Sequence, residues 1–385
     1  MDFALILEWL IKAFVLVMVL LTGFAYLTLY ERKALARMQS RIGPNRAGPW
    51  GILQPIADAI KLIFKEELMP AKADKLLFFL APIVTLVPAL VITAVVPWGP
   101  PITLFGRTIT LEIADLNVGV LYIMSIAGIA VYGIVLAGWS SNNKYAMLGG
   151  LRSTAQMISY ELALGLTFVG AILLAGTMRM TGIVEAQTPL VFGFIPRWFV
   201  LLQPVGTVIF LIATLAEVNR APFDMPEAEQ ELTAGYHTEY SGMKFALLFM
   251  AEYDKMIAIA LIGATIFFGG YLGPDLGGLP VVGGILKFVQ GPIYLFLKVF
   301  ILLFGMIWIR ATFPRIRYDR LMAFGWKVLL PLSLVLIFIT ATGVLLAQEV
   351  NSRLIWTIPA ASLVAGAVAI MLMYRTLRRK ENARS

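Results

Sequence analysis

The chain has 385 residues, of which 59% are hydrophobic and only 14% are charged, and its formal net charge is +8. A soluble domain carries about a quarter of its residues as charged side chains, so this composition excludes a soluble globule and indicates a polytopic membrane protein. With no cysteine and a single histidine, the sequence excludes thiolate-ligated iron–sulfur clusters, cysteine-based zinc sites, disulfides and a bis-histidine haem on this chain.

Nine apolar runs predict membrane-spanning helices. A spanning helix needs about 20 predominantly apolar residues, because the hydrocarbon core is about 30 Å thick and each helical residue rises about 1.5 Å. The runs cover residues 10–30, 76–96, 118–139, 156–177, 198–217, 243–270, 288–309, 326–347 and 354–374. Because no low-complexity tract or linker separates them, we expect one all-α membrane domain over residues 1–385, a polytopic bundle of about nine transmembrane helices.

The lysine and arginine residues predict the orientation of this bundle. The loops after the first, third, fifth and seventh runs, with the adjoining span ends and the C-terminal tail, hold 23 of the 31 basic residues, whereas the opposite loops hold five. Basic loops remain on the cytoplasmic side, so we expect the N-terminus outside and the C-terminus in the cytoplasm. The positive charge is then a signal for topology and anionic lipid, and we expect no nucleic-acid partner.

The first predicted cytoplasmic loop, residues 31–75, contains an amphipathic segment. Ile56 and Ile60 fall on one helical face, and Asp58 and Lys61 fall on another. Such a segment predicts an interfacial helix of about three turns that lies along the membrane surface. It serves either as a simple anchor or as the floor of a lateral opening for an amphiphilic ligand.

The third predicted cytoplasmic loop, residues 217–242, is acidic. With the span that follows, it brings together seven carboxylates: Glu217, Asp224, Glu227, Glu229, Glu231, Glu239 and Glu252. Carboxylates about 6 Å apart repel by roughly 3 kcal/mol at an effective dielectric near 20, which is enough to drive one of them toward its neutral form. The loop therefore predicts acids that titrate as a group. A solvated acidic loop that binds a basic partner is the alternative.

Three acids, Glu161, Glu217 and Glu252, lie within or at the ends of apolar spans. Ionisable groups inside a bilayer cost a few kcal/mol and are functional by default. Local pairing is the alternative, and Glu252 with Lys255 one helical turn later is a candidate pair. Glu161 has no evident partner nearby in the sequence. The single histidine, His237, is interpreted as a polar loop residue.

The fourth predicted cytoplasmic loop, residues 310–325, mixes arginine with aromatic residues. Topology explains the positive charge but does not require the mixture, which is typical of a docking surface for a soluble partner. The residues that we assign to partner docking are Arg46, Arg315, Arg317, Asp319 and Arg320.

These segments, in this order, resemble the H subunit family of bacterial NADH–quinone oxidoreductase (respiratory complex I), which corresponds to mitochondrial subunit 1. The matching segments are Glu31-Arg32-Lys33, Arg41-Ile42-Gly43-Pro44-Asn45, Leu53-Gln54-Pro55 with Asp58 and Lys61-Leu62, Lys65-Glu66, Ser159-Tyr160-Glu161, residues 217–231, Glu239-Tyr240, Ala251-Glu252-Tyr253 and Arg315-Ile316-Arg317-Tyr318-Asp319. They extend over essentially the whole chain. One departure is Asp254-Lys255, where the family pattern leads us to expect uncharged residues.

The resemblance implies a proton-translocating enzyme subunit in the bacterial cell membrane, without a redox cofactor of its own and with quinone as substrate. FMN and iron–sulfur clusters are expected on partner subunits of the peripheral arm, and antiporter-like and small membrane subunits are expected beside it in the bilayer. The resemblance places near the quinone chamber the residues Glu31, Arg32, Arg41, Asp58, Arg220, Phe223 and Asp224. It implies proton and charge relay by Glu161, Glu217, Glu227, Glu229, Glu231, Glu239 and Glu252.

Two other functions compete with this interpretation. A stand-alone ion transporter predicts broken helices and a ligand site near the bilayer midplane, whereas most acids here cluster at one end of the spans. The membrane subunit of an energy-converting hydrogenase needs no quinone, and the long loop that resembles the quinone family argues against it.

Overall fold

The computed structural model describes residues 3–104, 107–191, 195–225, 235–274 and 283–382, and these ranges are predominantly helical. The helices are α1 (Phe3–Met38), α2 (Gln54–Ile63), α3 (Lys75–Val91), α4 (Gly119–Ser140), α5 (Lys144–Ala175), α6 (Met180–Glu185), α7 (Phe199–Leu202), α8 (Pro204–Glu217), α9 (Gly242–Phe267), α10 (Gly283–Thr312), α11 (Tyr318–Phe324), α12 (Leu330–Glu349) and α13 (Thr357–Asn382). A π-helical turn, Gly325–Leu329, joins α11 to α12. Two short antiparallel pairs complete the fold, β1 (Ile102–Leu104) with β2 (Arg107–Ile109) and β3 (Leu190–Val191) with β4 (Ile195–Pro196).

The predicted polytopic helix bundle is confirmed. In the described ranges, seven helical segments are long and apolar enough to cross a membrane. The fifth predicted run forms the shorter α8, and the sixth forms α9, which carries four charged side chains within its apolar sequence. Each of the nine runs therefore coincides with a helix of the bundle.

Consecutive long helices run in opposite directions. At one end of the bundle the Asp74 amide, before α3, donates to the carbonyl of Ser140 in α4 over 3.1 Å. At the other end the Tyr122 hydroxyl of α4 donates to the Val91 carbonyl of α3, also over 3.1 Å. We call the first end the basic face; it carries residues 39–74, 141–143, 218–225, 235–241 and 313–317.

Helix α5 lies at the centre of the bundle and packs against α4, α8 and α12, while α3 packs against α4 and α9. Small residues allow these close approaches, as is common between membrane helices. A Cβ atom on Gly133 of α4 would clash with the hydroxyl and backbone of Thr85 in α3, so this crossing requires glycine.

Helix α2 lies apart from the core on the basic face. None of its residues is buried, and Ile56, Ile60 and Ile63 are each more than half exposed. An apolar face that this chain leaves uncovered is typical of a helix that rests in the membrane interface. Within the chain, the hydrogen bond from Arg32 of α1 to Asp58 holds α2 in place.

Candidate functional site

The corner between α1 and α2 brings together three of the predicted quinone residues. Arg32 follows Glu31 on α1, so the two side chains point in different directions, and Arg32 Nη1 donates to Asp58 Oδ2 over 2.7 Å. Burial opposes ionisation of Asp58, but the hydrogen bond and charge of Arg32, with Gln54 and Lys61, outweigh it and lower the pKa of Asp58 below its ordinary value. Asp58 is therefore a carboxylate at neutral pH.

Glu31 forms a buried ion cluster with two arginines from distant parts of the chain. It is 3% exposed. Arg310 Nη1, at the end of α10, donates to Glu31 Oε1, and Arg220 Nη1 lies 3.9 Å from the same oxygen. The Arg220 guanidinium also lies 4.3 Å from the centre of the Tyr253 ring of α9. One carboxylate thus holds together α1, the loop after α8, and α10.

Gln156 of α5, which is fully buried, holds the segment that carries Arg220. Its Nε2 donates to the carbonyls of Ala216 over 2.8 Å and Phe223 over 2.7 Å. The Phe223 ring packs against Tyr160 with centroids 5.7 Å apart. A buried amide that satisfies the end of a helix and the following loop is a rigid support. Asp224, the next predicted residue, is half-buried beside this segment.

Glu252 of α9 lies in a pocket of polar and aromatic groups. It is 8% exposed, and it accepts a hydrogen bond from the Tyr236 hydroxyl over 2.9 Å. The Nε2 atom of His237 lies 3.6 Å from the same carboxylate oxygen. His237 is a buried residue of the loop: the turn 235–237 packs against α5, and the side chains of Tyr236 and His237 reach Glu252 on α9.

A separate small cavity lies between α3, α4, α8 and α9. Its volume is about 30 Å³, and its lining is apolar except for Glu217 and Lys255. Glu217 is 5% exposed, and its Oε2 atom has no hydrogen-bond partner among the described residues. Glu161 of α5 is half-buried, and the charge of Lys255 acts on it as well as on Glu217 and Glu252.

The remaining relay residues lie around these groups or outside the described ranges. Glu239 is held by Asn143, whose Nδ2 donates to Glu239 Oε1 over 2.6 Å and whose Oδ1 caps the start of α5. Glu227, Glu229 and Glu231 lie outside the described residues. Asp254, in the segment that departs from the family pattern, is fully buried, and neither of its carboxylate oxygens has a partner within the described ranges.

A wide apolar recess opens on the side of the bundle between α1, α9 and α10. Its volume is about 860 Å³, and its lining includes Tyr26 and Tyr30 of α1, Ile257 of α9, and Leu297 and Phe300 of α10. Tyr26, Leu297 and Phe300 are each about half exposed, so the recess is open along its side. Tyr30 directly precedes Glu31, and its ring lies 5.0 Å from Phe300. The recess and the buried ion cluster are therefore adjacent along α1, but none of Glu31, Arg220 and Arg310 lines the recess.

The predicted docking residues lie on the surface of the basic face. Arg46, Arg315, Arg317, Asp319 and Arg320 are all exposed. Arg317 Nε lies 3.2 Å from Asp319 Oδ2, with both side chains more than two-thirds exposed. Arg41 is exposed too and donates to Gln39 over 2.7 Å, so it lies at the surface of the basic face.

Sequence reasoning missed several residues of this site. Arg310 was interpreted only as a topology and surface signal, although its partner is the buried Glu31. Gln156 was missed entirely, and Lys255 was considered only as a local partner of Glu252. Both are polar side chains within apolar spans, which is the signal that identifies functional or supporting groups in membrane helices. Within the described residues, no group of three or more His, Cys, Asp or Glu side chains is arranged to hold a metal ion.

Comparison with known proteins is consistent with these features. Residues 11–341 match the NADH dehydrogenase family. The NADH-quinone oxidoreductase H subunit of Thermomicrobium roseum is 50% identical, over 88% of this chain and 97% of its own length. The protein of the same name from Frankia alni is 46% identical, over 92% of this chain and 79% of its own. In Geobacter metallireducens, the NADH-quinone oxidoreductase H subunit that is numbered 1 is 50% identical, over 84% and 92%. The chain therefore belongs to the NADH dehydrogenase family.

Proposed function

We propose that this chain is the H subunit of a proton-translocating NADH–quinone oxidoreductase, in which it forms the quinone-access chamber and relays the energy of quinone reduction. The observation that carries the proposal is the junction on α1 where Tyr30, which lines the open apolar recess, is followed directly by Glu31 of the buried cluster with Arg220 and Arg310. A molecule with a long apolar tail and a polar headgroup matches such a junction.

The recess suits the tail of the quinone. An isoprenoid tail that enters between α1 and α10 stays in contact with apolar and aromatic side chains, because the lining is almost entirely apolar. The headgroup lies beyond Tyr30 in this proposal, near the ion cluster, where guanidinium groups favour the oxygens of a quinone headgroup over a hydrocarbon. Arg32, Asp58 and α2 form the floor of this entrance, and Phe223 and Asp224 lie beside it.

Filling the recess tests this assignment. Leu297→Trp places a larger ring in the lining, so we expect a higher KM for a long-tailed quinone and an unchanged KM for a short-tailed analogue with the same headgroup. Val364→Trp on α13 is the control, because Val364 is 65% exposed and does not line the recess. Equal KM values for the long-tailed quinone in Leu297→Trp and the parent protein would rule out the recess as the tail site.

The buried acids suit a relay of charge. Glu217 and Glu252 are almost fully buried, Glu217 at the end of α8 on the basic face and Glu252 within the first half of α9, and Glu161 lies on the adjacent α5. Charges in such a medium interact more strongly than in water. Reduction of quinone changes the charge of the chamber. This change alters the protonation of the acids, and protons move from one acid to another. Glu227, Glu229, Glu231 and Glu239 extend this series in the proposal.

Glutamine variants test the relay. Glu217→Gln and Glu252→Gln keep the shape of the side chain but remove its ionisation, so we expect quinone reduction and proton pumping to fall together while the complex still assembles. Glu8→Gln is the matched control, because Glu8 is paired with Lys12 near the opposite end of α1. Normal pumping by both variants in proteoliposomes would refute the relay role.

The exposed charged residues of the basic face, Arg46, Arg315, Arg317, Asp319 and Arg320, are proposed to dock the soluble peripheral arm, which carries the FMN and iron–sulfur clusters. Antiporter-like and small membrane subunits then adjoin the bundle within the bilayer. This arrangement needs the basic face in the cytoplasm of a bacterial cell, with the N-terminus outside. Reversal of Arg315 and Arg317 to Glu is expected to release the soluble arm in mild detergent, and an arm that remains bound would contradict the docking role.

A further inference from the structure

Lys255 is a cation that α9 places among the relay acids. It lies one helical turn after Glu252, which predicts a direct pair between the two. The direct pair does not form: within the part of the chain that the structure describes, Lys255 has no ion pair or hydrogen bond, and Glu252 is bonded to Tyr236. Lys255 therefore needs another counter-charge.

The small cavity supplies one. Its two polar lining residues are Glu217 and Lys255, and its other lining residues, such as Ala89, Ala130 and Ala258, are apolar. A cavity of about 30 Å³ exceeds the 10–15 Å³ that one water molecule needs. A water there finds a carboxylate on one side and an ammonium group on the other, and Glu217 Oε2 has no other partner among the described residues.

Electrostatics point to the same pairing. An ammonium group in an apolar cavity is strongly disfavoured unless an opposite charge compensates it. Three carboxylates favour the charged form of Lys255. Glu217 does so most strongly, followed by Glu252 and Glu161.

We propose that Lys255 is the charge partner of Glu217, joined to it through a single water molecule in this cavity, and that the positive charge of Lys255 favours the ionised form of Glu217. Lys255 is thus a positioning residue for the relay, and this consequence rests on the proposed function. When Glu217 accepts a proton, the pair loses its negative charge. The remaining positive charge of Lys255 then acts on Glu161 and Glu252, so a proton on one acid becomes a signal to the other two.

The protonation of Glu217 tests the pair without reference to turnover. In the assembled complex, we expect Lys255→Met to produce an infrared band of a protonated carboxyl group that the parent protein lacks. The band should be absent from Lys255→Met with Glu217→Gln and from the charge-conserving Lys255→Arg. Lys12→Met is the control, because Lys12 pairs locally with Glu8. No new band in Lys255→Met, or a band that persists without Glu217, would overturn the proposal.

A double-mutant cycle tests the coupling and also protects against a folding defect. Removing one member of a buried pair leaves an uncompensated charge, whereas removing both restores balance, so the double variant should assemble at least as well as Lys255→Met. We expect Lys255→Met to lower turnover about tenfold when Glu217 is present and to cause no further loss in the Glu217→Gln variant. An effect of about tenfold is within the usual coupling between contacting residues. Equal losses in both backgrounds would contradict the pair. If Glu217→Gln alone pumps normally, the relay role of Glu217 is refuted. The infrared band still tests the pairing of Glu217 with Lys255 independently.

Discussion

Glu31→Gln is the perturbation whose effect follows most directly from the contacts. The substitution removes the carboxylate charge that lies 3.9 Å from Arg220, which is 3% exposed. Removing one partner of a buried ion pair costs about 3–5 kcal/mol, and the cation–π contact with Tyr253 retains about 2 kcal/mol of stabilisation for the guanidinium. These figures leave a net loss of about 1–3 kcal/mol, and because Arg310 is partly exposed to solvent, we take its middle, about 2 kcal/mol.

The amide of Ile316 reports this loss. It donates to the Pro222 carbonyl over 3.0 Å and so joins the two segments that Glu31 holds through its arginines. A loss of about 2 kcal/mol corresponds to roughly thirtyfold faster hydrogen exchange of this amide in the assembled complex. Glu8→Gln on the same helix removes a local, partly exposed pair with Lys12, far along α1 from Glu31, and should leave the exchange of this amide unchanged. Equal exchange rates in Glu31→Gln and Glu8→Gln would refute the stabilising role assigned to Glu31.

Three further predictions follow from single contacts. Gln156→Leu leaves two buried carbonyls without their donor, which costs about 1–3 kcal/mol of stability each. We therefore expect faster hydrogen exchange in residues 218–225 and a raised KM for quinone. Unchanged exchange would contradict the supporting role of Gln156. Asp58 has a pKa below its ordinary value, so its ion pair with Arg32 of α1 is complete at neutral pH and is lost only as pH falls through that lowered pKa. Asp58→Asn should therefore loosen α2 already at pH 7. Limited proteolysis should cleave α2 in this variant, whereas the parent protein stays protected. Lys298 donates to the carbonyls of Phe268, Gly270 and Leu272, which follow the end of α9. Lys298→Met should therefore lower the unfolding temperature of the complex. An unchanged unfolding temperature would show that these carbonyls find other donors.

The helices were largely predictable from sequence because a bilayer leaves few alternatives. A run of apolar residues in lipid must satisfy its own backbone hydrogen bonds, and a helix does so. Thus the run 243–270 corresponds to α9, which ends at Phe267 before Gly269 and Gly270 with positive φ. The run 198–217 was wrong in one respect. Gln203 has a non-helical conformation before Pro204, which splits the run into the single turn α7 and the shorter α8.

The candidate site was predictable by residue type but not by partner. The sequence identifies Glu31 and Arg220 as unusual, yet Glu31 meets Arg310, 279 positions later, only because α1 packs against α10. The same reason hides the link between Glu217 and Lys255, which requires α8 and α9 to share one cavity. The spacing along α9 predicted a pair between Glu252 and Lys255, but Glu252 instead accepts a hydrogen bond from Tyr236 in the preceding turn. Partner choice depends on helix packing, which the apolar pattern does not encode.

The relay role of the buried acids can be tested by following the protonation of Glu217 and Glu252 before and after quinone reduction. Infrared difference spectra of the assembled complex, recorded as quinone is reduced, should contain carboxyl bands that disappear in Glu217→Gln and in Glu252→Gln. Such bands mean that chemistry on a neighbouring subunit changes the charge of acids buried in this chain. Identical difference spectra in the parent protein and in both variants would contradict the account.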